Sequence, residues 1–227
     1  MNGLKPGLSE TEDGSNSLYN KTLNEFYHSK FGAITESNHI FIQNGLCRNN
    51  NKTDIVRILE VGFGTGLNAL LTLKEMHGKV RVNYCAIELY PIDIETSESL
   101  NFCNFPDLES FRQNFLAFHT AEWETEIRIK DDFTLHKMRI DLLAFQPEPD
   151  SFDLIYFDAF SPNVQPELWS ETIFRKLYLS LKVKGILVTY CAKGIVKQAL
   201  RKVGFEVKRL TGPPGKRHII QAIKSAD

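Results

Sequence analysis

The segment 55–73 constrains the fold most, because a short apolar run leads through three glycines into a leucine-rich run. The first run contains β-branched residues in a short stretch, which favours a buried strand. The leucines after the glycines recur at helical spacing, which favours an amphipathic helix. Gly62, Gly64 and Gly66 lack a Cβ, so they permit positive φ and let backbone N–H groups approach a ligand. The segment therefore predicts a nucleotide-cofactor loop.

Acidic residues precede and follow this loop. Glu60 comes before the Gly-x-Gly-x-Gly pattern, and Leu67 stands where a dinucleotide-binding loop has its third glycine. This combination is typical of S-adenosylmethionine (SAM) methyltransferases rather than of NAD enzymes. Glu88 ends the next predicted strand, Val80–Ile87, where a carboxylate in wound α/β folds accepts hydrogen bonds from ribose hydroxyls. A solvated glutamate at a strand end is the alternative for Glu88. We predict that Glu60, the three glycines and Glu88 bind the cofactor.

Length and composition indicate one soluble catalytic unit. At 227 residues the chain can form one α/β domain with an appendage. It has no signal-peptide pattern and no eighteen-residue apolar run, so we expect a cytoplasmic protein without a membrane segment. The four cysteines are scattered without a Cys-x-x-Cys pair, and we expect neither a disulfide framework nor a metal site. A monomer is the expected state of such a chain.

Predicted strands and helices alternate after residue 53, which favours a Rossmann-like, seven-stranded, mostly parallel sheet closed by a C-terminal antiparallel hairpin. This α/β arrangement is that of class I SAM-dependent methyltransferases. We divide the chain into an N-terminal extension, 1–52, and a catalytic domain, 53–227. Within the extension, His39–Ile42 is predicted as a strand and residues 49–52 as a linker. Residues 105–123 are predicted as one helix.

Two further acids end predicted strands, and such strand ends meet at the ligand-binding edge of a wound sheet. Asp141 is predicted to accept a hydrogen bond from an adenine amino group, although helix capping also explains it. Asp158 begins the segment Asp-Ala-Phe-Ser-Pro, which resembles the acid-and-proline motif of amine methyltransferases. A carboxylate there can orient an amine or accept its proton, so Asp158 is the predicted catalytic residue and Phe160 a substrate contact. Capping of the next helix is the alternative for Asp158.

The C-terminal third is basic although the net charge of the whole chain is −1. Between Arg175 and Lys224 there are thirteen Lys or Arg residues and one acid, Glu206. Such a bias forms the electrostatic footprint for a phosphate backbone, or else spreads over solvated helix faces. Lys216 and Arg217 follow a Gly-Pro-Pro-Gly turn, and these residues taken alone favour a solvated hairpin tip; the other possibility, which the family resemblance described below supports, is that they bind substrate phosphate.

Four segments carry a family resemblance: ILEVGFGTGLNALLTL, FDAFSPNVQPELW, TYCAKGIVKQAL and GPPGKRHII. Together they resemble the methyltransferase domain of the MnmC family, which is also found alone as MnmD. The resemblance implies SAM-dependent N-methylation of the aminomethyl group of 5-aminomethyl-(2-thio)uridine at the wobble position of tRNA. In bifunctional relatives a C-terminal FAD domain follows; this chain stops at Asp227, so we expect no fused FAD domain and no oxidase activity.

The same resemblance extends to the N-terminal segment. It implies that Tyr27 and His28 lie near the methionine end of SAM or the substrate amine, with Tyr27 as a cofactor contact and His28 as a substrate contact. The sequence alone would make them core or surface aromatic residues. Asn68 follows the glycine loop closely enough to reach the cofactor, although helix capping explains it as well.

Three other functions use a similar sequence pattern. A small-molecule amine methyltransferase or aminopropyltransferase would share the glycines and Asp158 but would not need a basic C-terminal third. A catalytically silent RNA-binding module would not need the four acids at the strand ends. An NAD-dependent dehydrogenase would need a glycine at Leu67. We therefore expect the tRNA methyltransferase.

Overall fold

The structure is a computed structural model that describes residues 5–49 and 54–225. The strands are β1 (Gly7–Glu10), β2 (Asn16–Asn20), β3 (Glu25–Phe26), β4 (Ile55–Val61), β5 (Arg81–Ile87), β6 (Glu126–Lys130), β7 (Phe133–Met138), β8 (Phe152–Phe157), β9 (Leu181–Thr189), β10 (Phe205–Thr211) and β11 (His218–Lys224). The α-helices are α1 (Ala33–Ser37), α2 (Leu67–Met76), α3 (Ile94–Glu98), α4 (Arg112–Thr120), α5 (Glu171–Ser180) and α6 (Gly194–Lys202). None of the helices in these described ranges is long and apolar enough to cross a membrane.

The main sheet has the strand order β10-β11-β9-β8-β4-β5-β7-β6. The central pairs are parallel, whereas β11 and β6 run antiparallel to their neighbours. The α/β fold and the mostly parallel sheet are confirmed, but the predicted count of seven strands is wrong, because the sheet in the described residues has eight. The additional strand, β6, lies at an edge and alternates charged with apolar residues, so it lacks the continuous apolar run of a buried strand.

The core covers both faces of the main sheet. Along β4, Ile58 belongs to the apolar cluster on one face and Leu59 to the cluster on the other. Both side chains are fully buried, as the two-residue period of a central strand requires. This double coverage leaves the carboxyl ends of the parallel strands as the accessible edge of the sheet.

The N-terminal segment forms its own three-stranded sheet, β1-β2-β3. The predicted strand His39–Ile42 is wrong: these residues belong to a π-helix, Asn38–Gln43, which packs against α2 and β9. A short apolar run that is buried on several sides has no periodicity that separates helix from strand. Of the predicted linker 49–52, residues 50–52 lie outside the described residues, and the division of the chain at residue 53 stays a prediction.

The predicted helix over 105–123 is also too long. The α-helix begins only at Arg112, after two short 3₁₀ turns, Phe102–Asn104 and Glu109–Phe111. Phe105 precedes Pro106 and has extended backbone angles, because the proline ring disfavours the helical region for the preceding residue.

Candidate active site

The glycine loop brings the ends of three strands together. Gly62 has φ +88° and its N–H donates to the carbonyl oxygen of Ile87 at 2.9 Å. A Cβ on Gly62 would lie 2.8 Å from the backbone oxygen of Asp158, so only glycine permits this close approach. Gly64 and Gly66 also have positive φ, and Gly66 is the N-cap of α2. The loop therefore exposes backbone at the carboxyl ends of β4, β5 and β8.

Glu88 is fixed at the end of β5 beside this loop. Its Oε2 accepts a hydrogen bond from the N–H of Gly64 at 3.1 Å, and Oε1 accepts one from the N–H of Tyr90 at 2.9 Å. Burial raises the pKa of Glu88, and the backbone donors oppose that shift. Because both oxygens are oriented by backbone N–H groups, Glu88 is a positioned carboxylate and not a freely solvated one.

Asn68 bridges two carboxyl groups. Its Nδ2 donates to Glu60 Oε1 and to Asp158 Oδ2, each at 2.9 Å. Helix capping does not explain Asn68, because the N-cap of α2 is Gly66 and the amide points to the acids. Burial, followed by the charge of Asp158, raises the pKa of Glu60 well above its ordinary value. Glu60 is completely buried and orients Asn68 from below the cavity.

Burial and nearby charges determine the pKa of Asp158. Desolvation first, and then the nearby Glu36 carboxylate, raise the pKa of Asp158 to about 7. The hydrogen bond from Asn68 and the charge of Lys216 oppose this shift. A carboxyl with a pKa near neutrality exchanges protons readily at physiological pH, which is the property of a general base.

Tyr27 and His28 approach the glycine loop from the N-terminal segment. The Tyr27 ring packs on Gly64 and makes an edge contact with Phe160, with 5.1 Å between ring centroids. His28 contacts Ser17 Oγ through Nδ1 at 3.1 Å and Thr65 Oγ1 through Nε2 at 3.4 Å. Burial lowers the pKa of His28 to about 4, so the ring is neutral at physiological pH. His28 thus joins β2 to the glycine loop.

The loop after Asp158 is held by three residues that the sequence did not single out. Tyr190 Oη donates to Ala159 O at 2.9 Å. Trp169 Nε1 donates to Phe160 O at 2.8 Å. Glu25 Oε2 accepts from the N–H of Ser161 at 3.2 Å. Tyr190 follows the end of β9, and the strand-end rule used for the acids could have found it. No local sequence signal points to Glu25.

Lys216 and Arg217 point in different directions. Lys216 Nζ lies 2.9 Å from Glu36 Oε1 and 5.1 Å from the centre of the Tyr190 ring. Arg217 is exposed on the β10–β11 hairpin. The solvated hairpin tip therefore describes Arg217 but not Lys216. Glu36 lies in α1, and nothing in its sequence context indicated a place beside Asp158.

Asp141 orders a turn at the end of the adjacent strand. Its Oδ1 accepts a hydrogen bond from the N–H of Leu143 at 2.8 Å. No helix follows this turn, so helix capping does not apply. Asp141, Leu142 and Leu143 all line the cavity.

One cavity of about 960 Å³ unites most of the predicted residues. The predicted residues in its wall are Tyr27, His28, Gly62, Gly64, Asn68, Glu88, Asp141, Asp158, Phe160 and Lys216. Glu60, Gly66 and Arg217 do not line it. Within residues 5–49 and 54–225 there is no group of three or more His, Cys, Asp or Glu side chains that could hold a metal ion.

The raised pKa of Asp158 predicts a stability gain for Asp158→Asn. The carboxyl pKa is about 7 in the folded chain and 3.8 ordinarily, so the folded state loses stability as the pH rises from about 4 to 7. The full shift corresponds to about 4 kcal/mol, which we reduce to about 1–2 kcal/mol because the carboxylate faces solvent in the cavity. Urea unfolding at pH 8 should show this gain for Asp158→Asn, a smaller gain at pH 5.5, and none for the exposed control Asp131→Asn. Equal unfolding free energies for wild type and Asp158→Asn at pH 8 would contradict the raised pKa.

Comparison with known proteins identifies the family of this chain. Residues 106–225 match the family described as S-adenosyl-L-methionine-dependent methyltransferase. The chain is 30% identical over 226 residues to the tRNA 5-methylaminomethyl-2-thiouridine biosynthesis bifunctional protein MnmC of Azoarcus sp. (strain BH72), covering 94% of this chain and 35% of that protein. It is 27% identical over 216 residues to the same bifunctional protein of Methylobacillus flagellatus, covering 89% of this chain and 33% of that protein. The chain thus spans about a third of the length of these relatives.

A solved structure agrees over a larger share of both chains. The crystal structure of MNMC2 from Aquifex aeolicus superposes with a TM-score of 0.81 at 28% identity, covering 100% of this chain and 72% of that one. The resemblance predicted from the sequence is confirmed, and an NAD-dependent dehydrogenase is excluded. Because residues 106–225, which match the family model, make up more than half of the chain, this chain belongs to the S-adenosyl-L-methionine-dependent methyltransferase family.

Proposed function

We propose that this chain methylates the aminomethyl group of 5-aminomethyl-(2-thio)uridine at the tRNA wobble position, giving 5-methylaminomethyl-(2-thio)uridine. The observation that carries this proposal is the placement of Asp158, whose pKa of about 7 suits a base for an amine, at the cavity wall beside the glycine loop. The names of the bifunctional relatives supply the RNA substrate. We further propose that the chain acts in the cytoplasm and as a monomer.

The residues of the cavity fit SAM. Gly62 and Gly64 leave backbone exposed where a Cβ would fill the space, and Glu88 offers lone pairs for ribose hydroxyls at the neighbouring strand end. Asp141 lies at the next strand end along the same edge and is the acceptor for the adenine amino group. Asn68 Oδ1 is buried without a hydrogen-bond partner in the described residues, so it is an acceptor that a ligand can satisfy.

The proposed chemistry is proton removal followed by direct methyl transfer. When bound, the cofactor supplies an electrophilic methyl group on a sulfonium sulfur. Asp158 accepts a proton from the substrate ammonium at its carboxylate and so frees the nitrogen lone pair. Asn68 keeps the carboxylate in place, and the Tyr27 and Phe160 rings contact each other in the cavity wall close to it along the chain.

We propose that tRNA contacts a group of basic residues around His218, next to Lys216 in the chain. Five of the thirteen C-terminal cations form ion pairs with acids: Lys182, Lys202, Lys208, Lys216 and Lys224. Three others lie around His218: Arg217 precedes it in the chain, Arg209 lies on the paired strand β10, and Lys197 is in α6. Desolvation, and then the charges of Arg209, Arg217 and Lys197, lower the pKa of His218. This cluster adjoins Lys216 in the chain and is suited to phosphate groups of an RNA backbone.

Replacing Arg209 and Arg217 with glutamine should weaken tRNA binding about 10-fold and reduce the slope of log K against log salt by about 2, since each phosphate contact releases about one counterion. Lys208→Gln is the matched control, because Lys208 lies on the same strand but is paired with Glu206. Filter binding at several salt concentrations measures both quantities. If the double variant keeps the wild-type slope, Arg209 and Arg217 are not part of the RNA interface.

Methyl transfer from labelled SAM to tRNA from cells that lack this protein tests the whole proposal. Nucleoside analysis of the digested tRNA should show labelled 5-methylaminomethyl-uridine or its 2-thio form. Labelling of small amines with no labelling of tRNA would overturn the proposal in favour of a small-molecule amine methyltransferase. SAM binding without any labelling would favour a catalytically silent RNA-binding protein.

A further inference from the structure

The side chain of Lys216 brings an ammonium group to the wall of the cavity that Asp158 also lines. Lys216 Nζ contacts Glu36 Oε1 at 2.9 Å and lies over the Tyr190 ring at 5.1 Å from its centre. Glu36 is oriented by the N–H of Ser29, which donates to Oε2 at 2.6 Å. The side chain of Glu36 is 10% exposed and that of Lys216 is 27% exposed. A buried carboxylate and an aromatic face together form a cage that is selective for an organic ammonium ion.

This cage lies beside the proposed base. Glu36, Tyr190, Lys216 and Asp158 line the same cavity. The hydroxyl of Tyr190 donates to the carbonyl oxygen of Ala159, the residue after Asp158, at 2.9 Å, and Lys216 Nζ lies 5.1 Å from the centre of the same Tyr190 ring. An ammonium ion in the cage is therefore held next to the group that would remove its proton.

We propose that Glu36 and Tyr190 bind the ammonium of the substrate, and that Lys216 occupies their site until the substrate arrives. This inference rests on the function proposed above, whose substrate carries a primary ammonium of the same kind as the lysine side chain. Exchange of one ammonium for another keeps Glu36 paired throughout, so no buried carboxylate is left without a counter-ion.

The exchange also provides selectivity for an amine carried by a nucleotide. The displaced Lys216 has a flexible four-carbon stem and needs a new anion. An RNA substrate brings both charges, an ammonium for Glu36 and a phosphate for Lys216. A small free amine brings only the first, so it must displace Lys216 without offering the lysine a partner. Glu36 is thus a specificity-determining residue for the proposed reaction.

A static clamp is the alternative to this exchange. In that case the Glu36–Lys216 pair only fastens the N-terminal segment to the β10–β11 hairpin, and the substrate ammonium binds elsewhere. The two possibilities differ in how each residue affects the recognition of an amine, which is measurable without SAM and without turnover.

The first test compares two tRNAs that differ only in the aminomethyl group of the wobble uridine. Equilibrium binding without SAM should show that the wild type prefers the aminomethyl tRNA about 10-fold, the effect of one charge-assisted contact. Glu36→Gln should reduce this preference to about 1 and leave the affinity for the unmodified tRNA within about 2-fold. Glu167→Gln is the control. Glu167 lines the same cavity and is exposed, whereas the ion pair of Lys216 is with Glu36. An unchanged preference in Glu36→Gln would overturn the inference.

The second test removes the occupant and uses the nucleoside 5-aminomethyluridine, which has no phosphate. Lys216→Met leaves the cage empty, so the nucleoside should bind at least about 3-fold more tightly than it binds the wild type, as expected when a competing ammonium is removed. Weaker or equal binding would indicate the static clamp and overturn the exchange.

If the wild type methylates aminomethyl tRNA but Glu36→Gln keeps the preference, only this inference fails. If the wild type neither binds nor methylates that tRNA selectively, the proposed function fails with it.

Discussion

Asp158→Asn is expected to lower the rate of methyl transfer by about 10²- to 10⁴-fold, the usual contribution of a general base. Asparagine has nearly the same shape and can still accept the hydrogen bond from Asn68, but it cannot take a proton from an ammonium. The carboxylate lies at the proposed substrate end of the cavity, so SAM affinity measured by calorimetry should stay within about 3-fold of the wild type. Single-turnover transfer to aminomethyl tRNA measures the loss directly.

The pH dependence of the wild type provides a second readout of the same residue. The base must be ionised, and the pKa of Asp158 is raised to about 7, so transfer should rise with pH up to about 7 and then level off. The residual activity of Asp158→Asn should lack this dependence. Because the amine of the tRNA is identical in both reactions, the difference between the two profiles isolates Asp158.

Asp141→Asn is the control at the same sheet edge, and it should retain the wild-type profile. Turnover within about 3-fold of the wild type in Asp158→Asn would exclude Asp158 as the base.

Gly62→Ala is expected to reduce SAM affinity by about 100-fold, or about 2.7 kcal/mol. Its φ of +88° is unfavourable for alanine, and the added Cβ would lie 2.8 Å from the backbone oxygen of Asp158. Backbone cannot move aside as a flexible side chain does, so the glycine loop must shift away from the end of β8. Such a shift moves the N–H of Gly64 relative to Glu88 and thereby disturbs the proposed ribose site. Calorimetric titration with SAM measures the effect.

Gly78→Ala separates this local collision from general backbone strain. Gly78 also has positive φ, +71°, but an added Cβ would meet no atom within 4 Å. It lies beyond the far end of α2 from the glycine loop. We expect a stability loss of about 1 kcal/mol and an unchanged SAM affinity. If both variants lost SAM affinity equally, the contact between Gly62 and Asp158 would not explain the defect.

The parts of the fold that could be predicted from the sequence are the strands buried on both faces. Strands such as β4 and β8 are mostly apolar, and the strand-end rule placed Glu88 and Asp158 at one edge of the sheet. The edge strand β6 and the π-helix Asn38–Gln43 were not predictable in this way. One carries charges because a single neighbour pairs with it, and the other is apolar without a clear period.

The site shows the same limit at the level of single residues. Glu60, Asn68 and Asp158 come together because parallel strands align their ends, and the sequence pattern contains that information. The contact between Glu36 and Lys216 joins helix α1 to the β10–β11 hairpin, which are far apart in the chain. No periodicity or local motif encodes such a pairing, which depends on how the N-terminal segment packs over the sheet edge.

The Glu36–Lys216 contact has a consequence for biosynthesis. During translation Glu36 is synthesised before the glycine loop, and the hairpin that carries Lys216 is synthesised after both. The glycine loop and the acids around it can therefore assemble on the nascent chain while the buried carboxylate of Glu36 still lacks its cation. The proposed amine-binding end of the cavity is completed only after this hairpin has been made, so a nascent chain can form the proposed cofactor-binding half of the site before the half that selects the substrate.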